Sequence, residues 1–396
     1  MLLPAVPRTL QPRAWHSVAL EILVHGPISR SELGRRLDLS PASLTRLARP
    51  LLDSGLVVEA PTQYEARTGR PTRPLDVVAT SHHFVGIKLT GDDALAVLTT
   101  LRAEVVATRR VALTAPEPGA VVQVLADLVT AVASDVPRVT ALGVCLGGLT
   151  IDHRVVTRAP FLGWTDPVPL ASLLEQATGL PTVLDNDVLA LTRAEHWFGA
   201  ARGCDHFAVI TIGAGVGCGL VVHDAIVESA DAGVGLVGHH PLDPLGPLCF
   251  AGHQGCGVAM LSIGSIESRI SIALQRRVSY DECLDLAIAG NGVASRVVAE
   301  SGKALGRLIA CVANFTMAHK VILTGEGIRL AIVAHDAVKA GVSLDRDPLA
   351  GPLDIEVQLQ SDFTHWGRGA AATAIQSYVL GNSPSPEWYS NGDKNG

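Results

Sequence analysis

The chain has 396 residues, 48% hydrophobic and 17% charged, with a formal net charge of −7, an ordinary globular balance with room for two or three domains. Seven scattered cysteines, an odd number, argue against a disulfide framework. No basic-then-apolar leader opens the sequence, and its two long uncharged runs, 207–222 and 244–266, are interrupted by glycines or by His253 and Gln254, so a cytoplasmic protein with no membrane span is expected.

Charge is spread unevenly. Residues 1–80 carry ten Arg and no Lys against seven acidic residues, about +3, whereas the remainder carries 21 basic against 31 acidic residues, about −10. A basic end on an acidic body predicts one defined face for phosphate, because the rest of the surface repels it.

The first expected helix is the apolar-periodic segment Trp15 to Val24, closed by Gly26-Pro27. A short helix follows over Ser31 to Leu37, and Asp38-Leu39 makes the turn. Ser40-Pro41 places an N-cap before proline at the first helical position, and the third helix runs from Ala42 to Arg49. Leu44, Leu47, Ala48 and Leu51 fall at helical spacing and predict a buried stripe. Ser43, Thr45, Arg46 and Arg49 then face outward, with hydroxyl and guanidinium groups suited to base edges and phosphates. After Gly55, Leu56 to Glu59 and Leu75 to Val78 read as strands flanking a basic loop, Arg67 to Arg73. Three helices and a basic-tipped hairpin make a winged helix-turn-helix, whose partner is double-stranded DNA. Its candidate contacts are Ser40, Ser43, Thr45, Arg46, Arg49, Arg67, Arg70 and Arg73. A solvated helix face and a solvated turn are the plain alternatives.

Beyond residue 80 strands alternate with helices, the pattern of an α/β domain. Strands are expected at 84–89, 94–99, 104–111, 139–146, 182–185, 207–212 and 320–324, and helices at 120–133, 170–178, 188–198, 280–289, 293–317 and 367–380. Two such cycles predict two lobes with a cleft between them. The glycine run Thr211 to Gly219 leads into another strand, so it is a hairpin and not a dinucleotide-binding turn. Its amides either cradle a phosphate or bind nothing. The tail 381–396, rich in Ser, Pro, Asn and Gly, is expected to be disordered.

Several motifs together carry a resemblance: Gly69-Arg-Pro71, Ala159-Pro-Phe-Leu-Gly-Trp164, Leu184-Asp-Asn-Asp187 with Glu195, the glycine hairpin, and Gly238-His239 followed by Cys249 and Gly255-Cys256. Over residues 13 to 380 the chain resembles the repressor branch of the ROK family (repressors, open reading frames, kinases). The resemblance implies an α/β fold with a winged helix-turn-helix at 1–80. A two-lobed actin/hexokinase-like (RNase H-like) effector and dimerisation body follows at 81–380. It also implies a homodimer or homotetramer that sets its heads on half-sites about one helical turn, or a multiple of it, apart.

The departures from that family are informative. Its kinases place an Asp at the end of the first body strand to position metal and nucleotide phosphates. Here that position is Lys88, which cannot coordinate magnesium, so no ATP chemistry is expected. Asn186 and Asp187 match the pair that binds a sugar hydroxyl and removes its proton. Asp187 would equally cap the helix that follows it, and both roles stay open. Phe161, Leu236 and Val258 replace three polar sugar contacts. A hydroxyl buried without a partner costs about 1–3 kcal/mol, so ordinary hexose recognition is not expected. Gly148, Asn186, Asp187 and His239 remain as candidate contacts for a small-molecule effector.

The family's zinc site uses one His and three Cys. His239, Cys249 and Cys256 are retained, while the middle Cys is Ala251. Zn2+ would therefore need a fourth ligand from His253 or His240, the alternative being unliganded thiols. The reading is a DNA-binding transcription regulator, a repressor, with a silent effector domain and no catalytic residues. An ATP-dependent sugar kinase with an appended head is the rival reading, and a module docking a protein in an apolar pocket is a third.

Overall fold

The computed structural model describes residues 14–64, 71–229, 231, 233–360 and 362–380. The head is built from α1 (Ala14–His25), α2 (Arg30–Arg36) and α3 (Pro41–Asp53). Ser29 caps α2 by accepting from the Glu32 amide, and Ser40 caps α3 by accepting from the Ser43 amide. Helix α3 runs one turn beyond the expected end at Arg49, with Pro50 inside it. Pro50 is exposed, so the backbone bond it cannot make lies on the solvent side, while burial of Leu51 holds the last turn in place. Strand β1 (Val57–Glu59) runs antiparallel to a later strand, and β2 (Gln63–Tyr64) pairs with β3 (Pro71–Thr72) before β4 (Leu75–Val77) completes the wing. Ile28 bridges Leu75 from the α1–α2 turn, a third strand contact not foreseen from the sequence. Arg67 and Arg70 lie outside the described residues, as does the tail 381–396.

The first lobe contains β5 (His83–Leu89), β6 (Asp93–Thr100), β7 (Val105–Ala112), α4 (Pro118–Val132), β8 (Ala141–Leu146), β9 (Leu149–Ile151), β10 (Val155–Arg158), α5 (Leu170–Thr178), β11 (Thr182–Asn186) and α6 (Asp187–Phe198). The second contains β12 (His206–Ile212), β13 (Val216–Val222), β14 (Ala225–Ile226), α7 (Gly257–Leu261), α8 (Ile263–Leu274), α9 (Tyr280–Ile288), α10 (Gly292–Thr316), β15 (Lys320–Thr324), α11 (Arg329–Val333), α12 (His335–Asp345), β16 (Asp354–Val357) and finally α13 (Thr364–Val379). The sheet orders are β11-β8-β5-β6-β7 and β14-β13-β12-β15-β16. In each, three antiparallel strands are followed by two parallel ones, so the same topology occurs twice, as the two sequence cycles predicted. Thr211–Gly219 is a hairpin: β12 and β13 pair antiparallel, with Ile212 opposite Val216.

Helix α13 returns from the second lobe to lie on the first sheet. A Cβ added at Gly86 would collide with the α13 backbone at Gly367 and Ala371, and one at Gly143 with Ala370. Gly369, on the other side of α13, sits against the α6 backbone at Ala190 and Leu191. Small residues on both surfaces let backbone meet backbone, which maximises dispersion contacts. The head shares this packing. Ile22, Leu44 and Leu75 belong to one buried cluster with Phe84, Leu101, Trp197, Ile375 and Val379. His16 also hydrogen-bonds the Val379 carbonyl.

Gly143→Ala should lower stability by about 1–3 kcal/mol, the cost of overpacking against a backbone that cannot recede. Thermal or urea unfolding checks this, with an exposed control such as Gly264→Ala expected to be near neutral or slightly stabilising.

Candidate functional site

Three of the expected effector residues, Gly148, Asn186 and Asp187, lie together where β11 runs into α6, while His239 belongs to a separate cluster with Cys249, His253 and Cys256. Asn186, not Asp187, is the N-cap of α6: its Oδ1 accepts from the Val188 and Leu189 amides at 2.9 and 3.3 Å. This corrects the capping role weighed for Asp187, which is the first helical residue. Asn186 has extended φ and ψ of −64° and 143°, from which its short side chain folds back over the free amides. Its Nδ2 donates to the Gly148 carbonyl at 3.1 Å.

Asp187 Oδ1 also accepts from the Val188 amide at 2.9 Å, while its Oδ2 pairs with Lys88, whose ammonium donates to it. Lys88 lies at the end of β5, buried, with Nζ 4.9 Å from the centroid of the Trp366 ring. Burial pulls the Lys88 pKa down, but the Asp187 carboxylate and other nearby negative groups outweigh that and hold it above the ordinary lysine value. An aspartate acting as base needs a free oxygen facing substrate, and here the internal cation takes that place. The expected Lys88 departure is thus a positive group at the carboxylate that would have reacted.

Glu326, in the Gly325-Glu-Gly327 turn after β15, was given no role from the sequence. Its carboxylate leans against Gly213 in the glycine hairpin. Burial raises its pKa and Asp187 adds to that, while a hydrogen bond from its own backbone amide, Lys88 and Trp366 pull the other way. An acidic group over hairpin amides disfavours the phosphate cradle that the glycine run allowed. Phe161, 63% exposed, covers Gly147 beside Asp187, and Leu236 is exposed to the same extent. Gly148 is buried against the Arg158 carbonyl.

His239 ends a short 3-10 turn, Leu236–His239, and directs Nδ1 at two sulfurs, 3.7 Å from Cys249 and 3.9 Å from Cys256. His253 joins them: the four ligand atoms all lie within 4.8 Å of one another. A turn with Gly252 at φ +84° folds 249–253 back, and the Cys249 amide donates to the His253 carbonyl at 2.9 Å. Zn–S of about 2.3 Å and Zn–N of about 2.0 Å in a tetrahedron require ligand atoms ~3.5 Å apart, so the four residues fit a metal ion. His240 points elsewhere, its Nε2 3.3 Å from Cys311 Sγ.

On the head, α3 presents Ser40, Thr45, Arg46 and Arg49 outward, with Ser43 half-buried, while Leu44, Ala48 and Leu51 are buried. Thr45 Oγ1 donates to the Pro41 carbonyl at 2.8 Å, and Ser40 and Ser43 share a hydroxyl bond of 3.0 Å. Arg49 lies 3.6 Å from Asp53, and Arg73 3.6 Å from Glu59, which Arg30 holds at 2.7 Å. Arg46 is exposed and forms no ion pair among the described residues.

A winged helix-turn-helix seated on two RNase H-like lobes defines a sugar-kinase-like protein with a DNA-binding head. The ROK family model matches residues 84–345, and the chain belongs to that family. It is 25% identical over 372 residues to the DNA-binding transcriptional repressor Mlc of Escherichia coli (strain K12), covering 90% of this chain and 91% of that one. Identity is 29% over 320 residues to the DNA-binding transcriptional dual regulator NagC of the same organism, covering 76% and 77%. Among solved structures, a ROK family transcriptional regulator homologous to E. coli Mlc matches with TM-score 0.76 at 23% identity, over 93% of this chain and 98% of that one. The ROK hexokinase from Thermus thermophilus matches with TM-score 0.64 at 24% identity, over 74% of this chain and 98% of the enzyme. Among the described residues no helix is long and apolar enough to cross a membrane.

Lys88→Met should destabilise the fold by about 3 kcal/mol, because it strands a largely buried carboxylate. Lys88→Met with Asp187→Asn should regain most of that, and a denaturant-based double-mutant cycle measures the coupling. Since the folded lysine pKa is raised, the pair's contribution is fully present below the unfolded value of about 10.4 and is lost as pH rises through the folded one. The wild-type advantage over the double variant should therefore be constant from pH 6 to 9.

Proposed function

We propose that this protein is a DNA-binding transcriptional regulator, a repressor, whose kinase-like body senses a small molecule and does no phosphoryl transfer. The observation that carries this is the Lys88–Asp187 ion pair, which places a fixed cation on the carboxylate that a kinase would use as base. Glu326 supports the same reading, because its carboxyl group takes up the space beside Gly213 that a phosphate cradle in the glycine hairpin would need. Mlc and NagC are both named as DNA-binding transcriptional proteins and align over most of this chain, head included for Mlc.

The head, residues 1–80, would place α3 in the major groove of an operator, with Ser40, Ser43, Thr45, Arg46 and Arg49 at bases and phosphates. Arg67, Arg70 and Arg73 of the wing would reach the backbone or minor groove. The body, 81–380, would bind an effector between the lobes near Gly148, Asn186, Asp187 and His239 and assemble as a homodimer or homotetramer. With Asn186 and Asp187 already partnered, an effector of lower polarity than a hexose fits the Phe161, Leu236 and Val258 rim better. Zn2+ would be held by His239, Cys249, Cys256 and His253, fixing the orientation of His239.

Genomic fragments selected by the purified protein, followed by release assays with a metabolite panel, test the assignment. Arg46→Ala should weaken binding to the selected site by about 1–3 kcal/mol. Arg70→Ala should weaken it most at low salt and flatten the salt slope by about one. Turnover of ATP with any sugar would show instead that the chain is a kinase with a head. For the metal, elemental analysis of protein purified under reducing conditions should give one zinc per chain, falling well below one in His253→Ala but not in His240→Ala.

A further inference from the structure

A second cavity lies away from the cleft, at the junction of head and body. It is an open pocket of about 340 Å³ lined by Val24 of α1, Arg102 and Glu104 of the β6–β7 turn, Phe198 at the end of α6, Arg202 beyond it, and Arg368 of α13, among others. That volume is at the lower end of small-molecule pockets, about 300–1,000 Å³. Three arginines from separate parts of the chain line it, and Arg202 lies near enough to Arg102 to help lower its pKa.

Their internal bonds leave capacity unused. Arg102 donates through Nη1 to the Gly26 carbonyl at 2.8 Å and through Nη2 to the Ile22 carbonyl at 3.1 Å and to Asp76. Its Nε is buried and has no partner among the described residues. Arg368 donates to the Ala103 and Phe198 carbonyls at 2.9 and 2.8 Å, and Arg202 reaches the Val24 carbonyl at 3.5 Å. Neither Arg202 nor Arg368 has an ion pair among the described residues. Burial lowers the pKa of Arg102 and of Arg368, partly offset by Asp76 and Glu104 near Arg102 and by Glu195 near Arg368. Of the nearby acids, Asp76 is committed to Arg102, and Glu195 accepts from the Ala200 amide at 2.8 Å. Glu104 remains, exposed at the rim.

We propose that this junction cavity binds a small oxyanion, free phosphate or a phosphate monoester, held by Arg102, Arg202 and Arg368. Guanidinium forks match phosphate oxygens bidentately. The bound anion would touch both parts of the molecule at once. Arg102 grips the end of α1 in the head, while Arg202 and Arg368 belong to the body. Occupancy would thereby stiffen the junction that sets how the head is presented, independently of whatever the interlobe cleft binds.

Calorimetric titration of the full-length protein at constant ionic strength, without DNA, tests this with inorganic phosphate, glucose 6-phosphate and citrate. Saturable one-to-one binding of either phosphate probe is expected. Arg202→Gln, at an exposed position, should weaken it roughly tenfold with no loss of thermal stability, whereas Glu104→Gln should tighten it by removing the rim's negative charge. Binding of citrate with the same response to both variants would also support the site and assign it to carboxylates. Glucose 6-phosphate binding that neither variant alters would place the ligand in the cleft and overturn the proposal. So would the absence of saturable binding by all three probes.

Discussion

Helix α13 lies in backbone contact with the first sheet, and the rest of the architecture hangs on that approach. Gly86 and Gly143 remove the side chains that would hold the helix away, and Gly369 and its alanine neighbours do the same toward α6. From that position α13 serves three places along its length. Trp366 lies under Lys88 in the cleft, Arg368 ties the β6–β7 turn to the end of α6, and Ile375 with Val379 closes the core of the head. Cleft and DNA-binding head are thus attached to one rigid element, and a packed core transmits displacement because it has few voids in which to absorb it.

In the cleft, the kinase-like fold carries a charge pair within the protein at the end of β11. Phosphoryl transfer depends on mobile charge, with a metal ion and nucleotide phosphates entering an electrostatically prepared site. In this chain a buried ammonium is fixed on the Asp187 carboxylate, and Asn186 uses its amide on capping α6 and on Gly148. Removing either charge alone strands the other in a poorly solvated place, so the ion pair resists single substitutions. His253, two residues after Ala251 in the same tight turn, joins His239, Cys249 and Cys256 in a cluster that could hold a metal ion.

Much of the local structure was legible in the sequence because it is dictated over a few residues. The Ser40-Pro41 helix start, the 3.6-residue stripe of Leu44, Ala48 and Leu51, and the glycine hairpin leading into a second strand are short-range signals. So is the repetition of strand and helix in two cycles. The identity of Lys88 was also visible, and with it the loss of the metal-positioning acid. What the tertiary structure decided lies between residues far apart in the chain. Lys88 meets Asp187 across 99 positions, and that contact turned an open choice between cap and base into a third outcome. Asn186 took the cap because its backbone, not that of Asp187, is extended at the helix start. Pro50 stayed inside α3 because tertiary burial of Leu51 outweighed a lost backbone bond. Glu326, the choice of His253 over His240 and the three arginines at the head–body junction carry no local signature. Burial and electrostatic pairing depend on which groups packing brings together, and sequence spacing alone does not fix that.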